Sequence, residues 1–395
     1  MSTGVISGRE QGRKNANQRT SVVIYTHSLL EGSMTFIKSQ AEALVRYLPV
    51  YVGAHRAGQL PLPPDRTYVL NEHTPIGVVR EALFRRWGWA PSLFEKIGAH
   101  DPKIVHVHFG NCGPAGMFIA RSLGVPLLVT FHGQDATMHA AEAAKTFRGR
   151  ELLRKKTQLI DRAAGFVAVS DYIRHKMVEN GYPEDKIVVH RNGIDLAFFR
   201  PPDEGAREPI VVFVGRFVEK KGARYLLEAA GRLQRAGTSF ELVMIGGGPL
   251  EHSLKRFAEL GGVRCHFPGF VPVQQVREWL GRASVVAVPS VTAADGDSEG
   301  LPTVLLEAQA MATPVVATYH SGTPEGVMEG VTAELVRERD VEGLADKLAF
   351  FLKSPAVARA YGLAGRGFVA ENFDMRVQVS GLEDIYDKLR GGAIG

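Results

Sequence analysis

The chain has 395 residues, 45% of them hydrophobic and 23% charged, a balance that suits a globular protein with material for two domains of ordinary size. No apolar run is long enough to cross a bilayer and no signal peptide is evident. The two cysteines, Cys112 and Cys265, fall in different halves and argue against a disulfide framework, so a cytoplasmic setting is expected. The net charge of +5 divides unevenly, with +9 on residues 1–200 and −4 on residues 201–395, which turns the first half toward an anionic partner.

Residues 1–19 are polar and offer almost nothing to bury, so they read as a disordered leader. From there, short apolar runs alternate with amphipathic stretches. SVVIYTH (21–27), KIVHVHFG (103–110), PLLVTFHG (126–133) and GFVAVS (165–170) read as buried parallel strands. FIKSQAEALVRYL (36–48) between them reads as a helix. LAFFRPPDEGAREP (196–209), with three prolines and no periodicity, is a linker. The pattern then restarts with PIVVFVGR (209–216), FELVMIGGG (240–248), ASVVAVPS (283–290) and TPVVAT (313–318), with helices expected over 223–237 and 276–283. The expectation is an α/β chain of two Rossmann-like, doubly wound domains, residues 20–200 and 209–370, facing a central cleft. A helical segment, 371–395, is expected to return to the first domain.

Several segments carry chemistry. HSLLEGSMTFIKSQ (27–40) is the first strand-to-helix turn and contains Gly32. VVREALFRRWGWAPSLFEKIG (78–98) mixes Arg80, Arg85 and Arg86 with Phe84, Trp87, Trp89 and Phe94, and KTFRGRELLRKK (145–156) adds cations; both suit an anionic membrane surface. His106 and His108 alternate on one strand and read as core or cleft packing. VTFHGQD (129–135) ends a strand at His132, with Asp135 read as a cap for the helix ATMHAAEAAK. In VGRFVEKKG (214–222), Arg216 and Lys221 follow a strand, where two cations can neutralise a diphosphate.

MIGGGPL (244–250), with Gly246 and Gly247, and FPGFVP (267–272), with Phe270 and Val271, let backbone approach a ligand closely. Asp295-Gly296-Asp297 resembles a metal-binding D-x-D, but its place late in the chain reads as a loop element. In SEGLPTVLLEAQAMATPVVAT (298–318) a helix begins near Pro302, and the free N–H groups of Thr303 and Val304 make an anion site. Glu299, just outside that helix, and Glu307, inside it, can accept hydrogen bonds from the vicinal hydroxyls of a sugar and a ribose.

This last segment, with its two glutamates eight positions apart, resembles the signature of the family-4 retaining glycosyltransferases, which have the two-Rossmann-domain B-type fold. The resemblance implies that Glu299 contacts the transferred sugar and Glu307 the nucleotide ribose, with Gly300 and Leu301 in the same donor loop. It implies that Arg216 and Lys221, the lysine before glycine, hold the diphosphate, and that Lys220 does not. By the same resemblance, Gly246, Gly247, Phe270 and Val271 flank the nucleotide, Gly32 lies against the diphosphate, and His132 touches the donor sugar. The implied reaction moves a hexose, with retention, from a UDP- or GDP-sugar to a saccharide or lipid-linked saccharide, in the manner of bacterial exopolysaccharide enzymes of colanic-acid type. No cofactor and no essential metal are implied, and the enzyme is expected in the cytoplasm, peripheral on the inner face of the membrane. A sugar-nucleotide epimerase or phosphorylase would share the architecture. An oxidoreductase would need the G-x-G-x-x-G that HSLLEGSM lacks, and no nucleic-acid-binding module appears.

Overall fold

A computed structural model describes residues 19–32, 34–56, 60–202 and 207–392, so the expected leader, Arg19 apart, lies outside the described residues. The first sheet comprises β1 (Thr20–Leu29), β2 (Tyr47–Arg56), β3 (Thr67–Asn71), β4 (Pro102–His108), β5 (Leu127–Phe131), β6 (Gly165–Ala168) and β7 (Ile187–Val189). The second comprises β8 (Glu208–Val214), β9 (Glu241–Ile245), β10 (Cys265–Gly269), β11 (Ala283–Val288), β12 (Val315–Thr318) and β13 (Ala333–Val336). Their orders are β3-β2-β1-β4-β5-β6-β7 and β10-β9-β8-β11-β12-β13, and every pairing is parallel. Each order reverses beside its first strand, the arrangement that opens a crevice at the strands' carboxyl ends. Two Rossmann-like domains are thus present, as the alternating pattern predicts.

Central strands are apolar on both faces because helices cover both. Val22 and Ile24 of β1 join one core cluster while Val23 and Tyr25 join another. The helix Met375–Arg390 fills one of these faces: Met375, Val379, Leu382 and Tyr386 pack with Val22, Ile24, Ile104 and Leu128 of the first sheet. Tyr386 also bonds His106 Nδ1 at 2.6 Å, and His106 Nε2 meets Thr130 Oγ1 at 2.7 Å, so His106 is a core histidine. Where this helix leaves the second domain, Ile194 and Met375 pair through their backbones: Ile194 N–H donates to Phe373 O at 2.7 Å and Met375 N–H to Ile194 O at 3.0 Å. The chain therefore crosses between the domains twice at one place.

One helix ends earlier than the periodicity predicts. The helix expected over 36–48 spans Thr35–Glu42, and β2 begins at Tyr47. The buried Glu383 carboxylate explains the stop. It accepts from the N–H groups of Val45 at 2.7 Å, Arg46 at 2.6 Å and Tyr47 at 3.3 Å, donors that an extended helix would have used internally. The 78–98 stretch likewise divides, into helices Pro75–Trp87 and Pro91–Gly98, at the left-handed Gly88. ATMHAAEAAK divides into two short helices, Gln134–Thr137 and Ala140–Ala143.

Candidate active site

Strands β8 and β11 are neighbours, so the loops leaving their carboxyl ends meet. After β8 come Gly215 and Arg216 and a single 3-10 turn, Glu219–Lys221. Gly222 closes that turn at φ +65°, and a β-carbon there would collide with the carbonyl oxygen of Pro289 in the β11 loop. The two loops are joined further by Val291 N–H donating to Lys220 O at 2.8 Å.

This contact places the lysines against the β11 loop's carboxylates. Lys221 Nζ lies 3.1 Å from Glu299 Oε2; Lys220 Nζ lies 2.8 Å from Asp297 Oδ1 and 4.0 Å from Glu299 Oε1. Burial pushes the Glu299 carboxyl up, but the ammonium groups of Lys221 and Lys220 outweigh it and hold it down at about 2. Burial works against the Lys220 charge too, and Glu299 and Asp297 overcome it and raise its pKa. Glu299 is fixed from behind. Its N–H donates to His320 Nε2 at 3.1 Å, His320 Nδ1 lies 2.7 Å from Glu338 Oε1, and Ser321 Oγ donates to the Glu299 carbonyl. Its Oε1 is buried and has no hydrogen-bond partner among the described residues.

The helix Thr303–Ala310 starts just beyond, with Pro302 as its N-cap. Its first N–H groups, those of Thr303 and Val304, have no intrahelical acceptor. The Val304 and Leu301 side chains are buried in the second domain's core. Glu307, one turn on, is pushed up to about 7 by burial against the pull of Lys221. Arg216 is exposed and, among the described residues, has no ion-pair partner. Beyond it, Gly246 N–H donates to Gly269 O at 2.9 Å, and a β-carbon on Gly246 would strike the Gly215 carbonyl. The Phe270 ring, 73% exposed, lies over Gly247, where a β-carbon would come within 2.6 Å of it. Val271 packs on the core beneath.

The first domain closes on this site backbone to backbone. Gly133 has φ +149°, and a β-carbon on it would lie 2.6 Å from Ser298 O; one on Gly300 would strike His132 O. His132 therefore sits directly against the Glu299–Gly300 loop. Its Nε2 lies 3.0 Å from His108 Nδ1, and burial depresses its pKa to about 3, so it is neutral. Gly32 is exposed, with no described atom within 4 Å of where a β-carbon would stand.

One residue assignment differs from expectation. Asp135 does not cap ATMHAAEAAK; it accepts from the N–H groups of Gly110 at 2.6 Å, His132 at 3.0 Å and Gly133 at 2.9 Å, which fixes the turn that presents His132. Lys220, set aside in favour of Lys221, pairs with Asp297 beside the Lys221–Glu299 pair. The Asp295-Gly296-Asp297 loop is a tight turn: Asp295 Oδ1 accepts from Asp297 N–H at 2.9 Å and Asp295 O from His139 N–H at 2.9 Å. His320, Glu338 and the interdomain residue Glu325 were not singled out by sequence reasoning. YHSGTPEGV holds two of them, but their partners lie far away in the chain.

A helix N-terminus beside a lysine–glutamate cluster, placed where two Rossmann-like domains meet, fits the site of a B-type glycosyltransferase. A family profile described as Glycosyltransferase Family 4 matches residues 20–198, and one described as Glycosyl transferases group 1 matches residues 197–368. The chain is 31% identical over 374 residues to the GDP-mannose-dependent alpha-(1-6)-phosphatidylinositol monomannoside mannosyltransferase of Mycobacterium tuberculosis, covering 90% of this chain and 91% of that protein. It is 36% identical over 278 residues to WcaL of Escherichia coli, named for colanic acid biosynthesis, a match that spans 66% of each protein and so just under two thirds of WcaL. Anabaena HepE in complex with UDP-glucose superposes with a TM-score of 0.72 at 17% identity, over 93% of this chain and 100% of that one. The chain belongs to glycosyltransferase family 4.

Glu307 gives the site a pH signature. A carboxyl with a raised folded-state value contributes stability below its ordinary value of 4.5, and loses it as pH rises through about 7. Thermal melts of the unliganded protein should therefore show wild type losing ground to Glu307→Gln across that window. A difference that stays constant from pH 4.5 to 8 would contradict the placement of Glu307, whose raised value is about 7.

Proposed function

We propose that the protein is a retaining hexosyltransferase that uses a UDP- or GDP-sugar and extends a saccharide or lipid-linked saccharide in exopolysaccharide or cell-surface polysaccharide synthesis. The single observation that carries this is the part-buried cluster of Lys220, Lys221 and Glu299 just before the helix Thr303–Ala310. The names of the relatives support the pathway, and the complex of HepE with UDP-glucose supports the donor class.

The diphosphate lies on the helix N-terminus, with Arg216 and Lys221 meeting its negative charge. Glu299 Oε1 accepts from a hydroxyl of the transferred hexose, Glu307 accepts from the ribose, and Phe270 offers a face to the base. The acceptor hydroxyl approaches on the side from which the diphosphate leaves. As the anomeric bond to the phosphate oxygen breaks and the new glycosidic bond forms, that oxygen takes the acceptor's proton. The protein then needs no strong base, and neutral His132 bonds to the sugar without adding charge. Lys220 already neutralises Asp297, so the D-x-D turn is engaged, and no metal enters the mechanism.

Arg216→Ala and Lys221→Ala should each lower turnover by about one to three orders of magnitude, the cost of removing a preorganised group from a developing anion. Wild-type rates in both variants, in a radiolabelled-donor transfer assay, would remove them from the active site.

The acceptor reaches the site from a membrane face on the first domain. Phe84 is fully buried and Phe94 packs on the core, so these two are structural. Ile76, Val78, Val79, Trp87 and Trp89 are each more than half exposed, and Arg80 and Arg86 are exposed beside them. An apolar patch with interleaved arginines suits the headgroup boundary of an anionic leaflet. No described helix is long and apolar enough to cross a membrane. Phosphatidylglycerol vesicles should sediment the protein at low salt, and Trp87→Ser with Trp89→Ser should weaken this at least tenfold. Failure of wild type to sediment would overturn the membrane assignment.

A further inference from the structure

A second polar cluster stands at the carboxyl ends of β1 and β2, outside the donor site. His27 and His55 meet edge to face with ring centroids 5.1 Å apart. Glu81, from the helix Pro75–Trp87, presents Oε1 at 3.6 Å from His27 Nε2, 3.8 Å from His55 Nδ1 and 3.6 Å from Arg85 Nη1, all beyond hydrogen-bond reach. Its other oxygen is held by Asn71 Nδ2 at 3.0 Å, and His55 Nε2 lies 3.1 Å from Ser28 Oγ, so the groups are fixed in place. Arg148 stands beside His27 and Cys112, without a carboxylate partner among the described residues. The Arg85 guanidinium lies 3.9 Å from the centre of the Phe147 ring.

Charge decides what this cluster can take. Arg85 pairs with the one carboxylate, Glu81, and Arg148 adds a second positive charge felt by His27, which leaves the cluster net positive and repels a metal ion, although two histidines and a glutamate are a common ligand set. Burial, and then Arg148, His55 and Arg85, depress the His27 pKa to about 3, so this imidazole adds no charge and serves as a neutral hydrogen-bonding group. Sheet order sets the location: β1 and β2 are two and three strands from β5, which His132 follows, so the cluster lies roughly 10–15 Å along the sheet's carboxyl edge from the transfer site. A saccharide with its reactive hydroxyl at His132 reaches it with its next unit or its linkage.

We propose that this cluster is an acceptor subsite that binds an oxyanion, a phosphate or a sugar carboxylate carried by the saccharide acceptor, between Arg85 and Arg148. His27, His55 and the open oxygen of Glu81 meet hydroxyl groups around that anion. The proposal rests on the transferase function proposed above.

The test begins with melting temperature in UDP or GDP. If neither nucleotide raises it, the transferase reading fails by itself, whatever the cluster does. With the stabilising nucleotide at saturation, so that the donor phosphate site is filled, the full chain is titrated with sodium phosphate, sodium glucuronate or glucose at constant ionic strength. Phosphate, glucuronate or both should raise the melting temperature further, and glucose should not. Arg85→Met and Arg148→Met should weaken the response at least tenfold, and Arg148→Lys should restore part of it, which separates charge from fold damage. A response to phosphate alone assigns a phosphate-linked acceptor, and one to glucuronate alone an acidic sugar. The subsite is overturned if neither anion responds, if glucose responds equally, or if the methionine variants respond like wild type. It is equally overturned if zinc chloride stabilises wild type but not Glu81→Gln while the anions do nothing, which would make the cluster a metal site.

Discussion

The site depends on one ion pair, the part-buried Lys221 with the buried Glu299, at 3.1 Å. Each partner alone would be costly to bury. Together, with Lys220 and Asp297 completing a compensated cluster, they let a sheet's carboxyl edge carry charge in a closed cleft. The pairing is possible because β8 and β11 are adjacent, and because Gly222 lets the lysine turn settle on Pro289 without a side chain between them. One Glu299 oxygen engages the lysine, and the other is buried with no hydrogen-bond partner among the described residues.

The second domain holds this pair, and the first domain covers it. Gly133 and Gly300 bring the two backbones into direct contact, and a larger residue at either would wedge the cleft open. Around that contact, Ser170 Oγ donates to Gly300 O at 3.2 Å. Glu325 accepts from the N–H groups of Asp171 at 2.9 Å and Tyr172 at 3.0 Å, at the start of the first-domain helix Asp171–Glu179. Arg191 meets Glu325 at 2.8 Å. A carboxylate at a helix N-terminus is a favourable electrostatic seat, so closure is held by charge as well as by fit. It also sets His132 against the Glu299–Gly300 loop.

What could be read from the chain follows from where the physics is local. The central strands β1, β4, β5, β8, β9, β11 and β12 are continuous apolar runs, because both faces are covered, and their sequences announce them. The edge strands β3, β7, β10 and β13 are short or partly polar and give no such signal; Cys265–Gly269 is only partly buried along its length. β2 was masked by a helical pattern whose interruption comes from Glu383, far away in the chain. At the site, Glu299, Glu307 and Lys221 were legible because each belongs to a compact motif. Lys220 and Asp297, and His320 and Glu338, were not, since their roles arise from partners that only the fold brings near.

The most direct measurement of the central claim is a double-mutant cycle on donor binding, with Lys221→Met, Glu299→Gln and the pair compared with wild type by calorimetry. If the two side chains act as one unit in holding the nucleotide sugar, the double variant binds far better than the sum of the two single losses allows, with a coupling of about 1 kcal/mol or more. Losses that simply add would mean that the ion pair does not organise the site, and would contradict the account.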